Sequence, residues 1–124
     1  KMNEPQNLDK SKLLNLTQSL ISDVSKVKEG MSITLALLNA ITQDLHEAQE
    51  LLLQEHSDRS RILKHYTAVG IELGAVIDEL NEYKANQPHF NSIVTKYEQA
   101  SVLFESARMT TWVKLLKSFQ VSEK

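Results

Sequence analysis

The chain contains no cysteine, 2 prolines and 3 glycines among its 124 residues. Without cysteine there is no disulfide scaffold, thiolate zinc site, cysteine nucleophile or cysteine-held iron–sulfur cluster. So few turn-forming residues exclude a β-sandwich and a dinucleotide fold with a glycine fingerprint. No apolar run approaches the roughly 18 residues that a membrane-spanning helix needs. The opening residues, Lys1 to Pro5, lack the basic-then-apolar pattern of a secretory leader. Together these absences predict a cytoplasmic protein with no membrane span, with an exported bacterial protein as the alternative.

What is present suits one folded domain over 1–124. Hydrophobic residues make up 41% and charged residues 24%, too apolar for a disordered acidic tail. The formal charge of −2 is unevenly spread. Residues 1–40 hold five bases and four acids (+1), residues 41–84 four and nine (−5), and residues 85–124 five and three (+2). An acidic middle repels phosphate backbones and no dense basic run offsets it, so nucleic acid is not an expected partner. The acidic surplus reads as solvated helix faces.

Periodicity predicts helix almost throughout. Leu13, Leu16, Leu20, Val24 and Val27 recur at three- and four-residue steps in a first helix, 8–29. Gly30 interrupts, and Ser32 can cap a second helix, 32–55, rich in Leu and Ile. Ser57 or Asp58 can cap a third, 58–84. The run Ala85-Asn86-Gln87-Pro88 predicts a turn, with Asn86 in a left-handed cap and Gln87 pushed out of helical geometry by Pro88. One long last helix, 89–119, is then expected. It carries Phe90, Tyr97, Phe104, Trp112 and Phe119, the bulk of the aromatic surface available to a core.

The expected fold class is all-α: an antiparallel bundle of three to four helices in up-down topology. A rival arrangement arises from the register. Leu13, Leu20, Val24, Val27, Met31, Leu38, Ile41, Leu45, Leu52, Ile62, Val69, Leu73, Val76 and Leu80 share one unbroken 3-4 spacing. A phase kept through two supposed turns also suits a coiled coil or one very long helix. Glu55 and Arg59 on the seam argue for the bundle.

No constellation for catalysis is found. His46, His56, His65 and His89 are not preceded by Glu at the third position, so the carboxylate-bridged di-iron motif is absent. They read as surface histidines. Pairs such as Glu47 and Glu50 read as solvated carboxylates without the raised pKa of a catalytic acid. No serine-elbow, zinc-helix or phosphate-loop sequence occurs. The chain is expected to be no enzyme, with no metal and no cofactor.

Two features suggest contact with a protein partner. Gly70 and Gly74 are four apart on one helix face, a spacing that permits close backbone approach inside the bundle or to a partner helix. Trp112, Leu116 and Phe119 also repeat on one face. An overhanging last helix would expose them for a partner or a second copy, whereas end-packing would bury them. The stretch from Tyr97 to Phe104, followed by Trp112-Val113-Lys114-Leu115-Leu116, resembles terminal helices of coiled-coil subunits in cytoskeletal and trafficking complexes, such as dynactin shoulder subunits and the V-shaped domains of ESCRT adaptors. The likeness covers less than a quarter of the chain and transfers no site. The expected function is a non-catalytic protein–protein interaction module: a scaffold, adaptor or complex subunit. The alternative is a bundle that carries an apolar ligand or lipid between its helices.

Overall fold

The structure, a computed structural model, describes residues 8–27, 32–82 and 84–120. Within them the chain forms α1 (Lys10–Ser25), α2 (Ser32–Leu52), α3 (Arg59–Glu82), a short 3-10 turn (Lys84–Asn86), α4 (Gln87–Phe104) and α5 (Ala107–Lys117). The first four helices are an antiparallel up-down bundle. Neighbouring pairs are α1 with α2, α2 with α3, α3 with α4, and α4 back against α1. The fifth helix packs on α3 and α4.

The helix ends follow from local chemistry. Asp9 accepts a hydrogen bond from the Lys12 N–H and starts α1. Between α2 and α3, two neighbouring residues serve opposite helices. The Ser57 hydroxyl donates to the Leu51 carbonyl at the end of α2, and Asp58 accepts from the N–H groups of Ser60 and Arg61 at the start of α3. The single-helix alternative for 8–84 is thereby replaced by separate helices. Gly30 and Met31 lie outside the described residues.

The 3-4 seam marks the core face. Leu13, Leu20, Val24, Leu38, Ile41, Leu45, Leu52, Ile62, Val69, Leu73, Val76 and Leu80 are all buried. The seam keeps its phase because the turn from Leu52 to Arg59 happens to span seven residues, and the helix itself does not run through.

Two expectations about the C-terminal half are corrected. Pro88 does not exclude Gln87 from the helix: α4 begins at Gln87 with Pro88 in its first turn, where N–H groups have no intrahelical acceptor. Asn86 is buried and right-handed (φ −90°), so it forms no left-handed cap. More consequential, the single helix 89–119 is two. Glu105 adopts a left-handed conformation (φ 53°), its N–H bonding to Ser101 and Val102 carbonyls. Ser106 then caps α5 by accepting from the Met109 N–H at 3.1 Å.

The break has a physical cause. The bundle ends beside Phe104, whose carbonyl accepts from the Arg59 guanidinium at the start of α3. A straight continuation would carry Met109, Val113 and Leu116 past that end, without cover. Folding back buries all three. Left-handed backbone at a non-glycine residue costs about 1–2 kcal/mol, whereas each large apolar side chain buried contributes about 1.5–3 kcal/mol. A compact chain of this length has a radius of gyration of about 14 Å, against roughly 33 Å for a rod with one continuous helix over 8–84. Small-angle scattering from the monomer is expected below about 20 Å; a value near 30 Å would contradict the bundle.

Candidate functional site

Of the residues singled out for association, Trp112, Gly70 and Gly74 meet one another. Trp112 of α5 lies over Gly70 and Gly74 of α3, close enough that a side chain at either position would press on it. A Cβ on Gly70 would collide with the Tyr97 hydroxyl and stand 3.0 Å from Trp112 Cβ. At Gly74 the nearest atoms, Trp112 Cζ3 at 3.1 Å and Leu115 Cδ2 at 3.4 Å, are side-chain ends. Leu116 is fully buried in the core, while Trp112 and Phe119 pack half-buried against it. The glycine spacing therefore serves the α3–α5 contact.

Helix propensity alone gives Gly→Ala a gain of about 1 kcal/mol. Gly70→Ala is expected to lower stability by about 1–3 kcal/mol all the same, because the Tyr97 hydroxyl is buried and fixed. Gly74→Ala is expected to be near neutral, since the half-exposed Trp112 ring can yield. Urea unfolding midpoints of the two variants distinguish these outcomes. Leu116→Glu places an unpaired carboxyl in the core and should cost about 3 kcal/mol or more, with Phe119→Glu well below that. If Leu116→Glu weakened self-association at an unchanged melting temperature, the C-terminal face would be an interface instead.

Buried and half-buried polar groups between the helices include three clusters. In the first, the Thr17 hydroxyl donates to the Leu13 carbonyl at 2.7 Å, which leaves its oxygen to accept from Tyr66 Oη at 2.6 Å. Tyr97 Oη in turn donates to the Tyr66 backbone carbonyl at 2.6 Å. Burial raises the pKa of both phenols. In the second, buried Asp23 at the end of α1 accepts from the Ser92 hydroxyl and the Lys96 ammonium of α4, each at 2.7 Å.

The third cluster bridges α2 and α3. His65 Nδ1 lies 2.8 Å from Asp44 Oδ1. One turn pair further along the same face of α3, Glu72 Oε1 is shielded from solvent and has no hydrogen-bond donor. Burial first, then the facing Asp44 carboxyl, pushes the Glu72 carboxyl up to about 8. The other histidines stay peripheral: His46 and His56 are exposed and His89 is half-buried. Among the described residues, no group of three or more carboxylates and histidines is arranged to hold a metal ion.

The sequence reading missed this cluster. Glu72 sits between core positions Val69, Leu73 and Val76, a location that signals partial burial, but its partner Asp44 lies on another helix. Only the pairing of α2 with α3 brings the two together.

Two open grooves mark the outer surface. One, of about 400 Å³, lies between α1 and α4 and is lined by Leu16, Val102 and Leu103 with Lys12 and Gln99 at its rim. Val102 is 68% exposed. The other, of about 430 Å³, lies where α3 meets the start of α5, with Leu63, Ala68 and Ile71 on its floor and Lys64 and Arg108 beside them. No described helix is long and apolar enough to cross a membrane. No family model, curated protein or solved structure matches this chain.

Proposed function

We propose that the chain is a non-catalytic helical interaction module, acting as a scaffold, an adaptor or a subunit of a larger cytoskeletal or trafficking-type complex. The observation that carries this reading is the α1–α4 groove. Val102 and its neighbours Leu16 and Leu103 leave apolar surface open on the outside of a bundle whose core is otherwise filled by its own side chains. Exposed apolar surface in a groove between two helices suits the apolar face of a third. The lining carries a base, Lys12, and no acid, which favours a partner segment with acidic flanks.

The polar side chains support the same reading. Thr17, Tyr66 and Tyr97 join helices to one another, and Asp23 ties α1 to α4. The carrier alternative draws no support from the aromatics that would line a ligand space. Tyr66 packs on Tyr97 and Phe104, with ring centroids 6.1 and 5.4 Å apart.

Affinity purification followed by cross-linking tests the proposal. Cross-links are expected to map to α1 and α4, and Val102→Glu should abolish them. An exposed substitution of this kind changes stability by about 0.5 kcal/mol or less, so the melting temperature should hold. A native mass spectrum showing a retained lipid, with no protein cross-linked at the groove, would favour the carrier and overturn the module.

A further inference from the structure

We propose that Asp44, His65 and Glu72 form a proton-gated clasp across the α2–α3 seam, closed while one proton is shared between the two carboxyl groups and loosened when that proton leaves. The geometry is specific. Asp44 projects from α2, and His65 and Glu72 project from α3 seven residues apart, on one helix face. His65 Nδ1, carrying hydrogen, donates to Asp44 Oδ1 across 2.8 Å. Glu72 Oε1 is shut off from water and meets no donor. Two ionised carboxylates only accept, so they cannot satisfy each other. A proton on Glu72 converts it to a donor and lets Asp44 accept from both sides, from His65 and from Glu72.

The groups around the pair leave no other source of relief. From α2 the facing group is Asp44 itself. From α3 it is His65. From α4 the Tyr97 phenol is close enough for a charge on Glu72 to raise its pKa further, and it is itself neutral where Glu72 ionises. From α5, Trp112 and Leu115 cover this stretch of α3 at Gly70 and Gly74, and neither is charged. Among the described residues, no influence on Glu72 favours its ionised form: burial and the facing Asp44 both raise its pKa.

The sign of the effect follows from linkage. Glu72 binds its proton more tightly folded than unfolded, with a folded value of about 8 against 4.5. Its favourable contribution is complete below the unfolded value. It is lost as pH rises toward the folded value, and above about 8 no further loss accrues. The clasp thus closes in acid and neutral solution and strains at mildly alkaline pH.

Carbon-13 titration of the wild-type side-chain carboxyls reads the shared proton directly. The Glu72 resonance should move with a midpoint well above the ordinary glutamate range, near 8. Hydrogen exchange supplies the mechanical readout. Corrected for intrinsic rates, amides of α2 and α3 flanking the clasp should exchange up to about a hundredfold faster at pH 9 than at pH 6, the change in the opening equilibrium that linkage sets over that range. In Glu72→Gln, which keeps a donor facing Asp44, that ratio should fall to about one, and stability at pH 9 should exceed wild type. A Glu72 midpoint in the ordinary range overturns the proposal whatever the variants do. Equal exchange ratios in wild type and Glu72→Gln overturn it as well.

Discussion

Three helices meet at Gly70, and the missing side chain there is the constraint on which the C-terminal half depends. The Tyr97 hydroxyl from α4 reaches the Tyr66 carbonyl one helical turn before Gly70, and Trp112 from α5 lies directly over the glycine. Any Cβ would occupy the space of the hydroxyl. Because a helical glycine costs about 1 kcal/mol relative to alanine, its retention at this point is explained by the two side chains that converge on it. The hydroxyl cannot simply withdraw. A buried phenol that loses its acceptor is left with an unsatisfied donor, at about 1–3 kcal/mol. Position 70, the α4 register and the docking of α5 are consequently one problem with one solution.

The return of the chain at Glu105 is the second half of that solution. α5 runs along α3 in the same direction and opposite to α4: Trp112 meets Gly70 and Gly74, while Lys117 pairs with Glu98 and Gln120 reaches the Asn91 carbonyl. Arg59 secures the corner by donating to the Phe104 carbonyl, with its guanidinium 5.7 Å from the centre of the Phe104 ring. That contact draws on a residue which, read along the seam, looks like a defect. A charge at a core-phase position marks the end of a bundle, where the side chain can reach the last carbonyls of a neighbouring helix.

What was legible in the sequence tracks with how local each cause is. The core faces were readable because burial on a helix repeats every three or four residues: Leu13, Leu45, Ile62 and Leu80 are where the spacing puts them. The cap at Asp58 was readable because a cap acts within three residues. The break at Glu105 was not, since neither glycine nor proline announces it and the deciding fact is that the bundle stops there. The same holds for Asp44 and Glu72, which are 28 positions apart in the numbering and meet only through the α2–α3 pairing. Trp112 and Gly70 were noticed separately, each as either internal packing or a surface for a partner. Nothing local says that they are partners of each other.

That outcome moves the functional question outward. The large apolar residues of α5 were attractive as an interface because a single long helix would leave them uncovered; in the folded chain Leu116 is buried and Trp112 half-buried. Of the large apolar residues described, Val102 is the most exposed, on the outer side of the same α4 whose inner side carries Tyr97 and Phe104. An α4 held rigidly by Tyr97 at Tyr66 and by Ser92 and Lys96 at Asp23 has a fixed outer face. A groove built on such an element is preorganised, and a partner helix would bind it without first ordering the surface. The buried polar contacts thus have a consequence beyond stability: they hold Leu16 of α1 and Val102 of α4 at a set separation, which a groove between two helices requires.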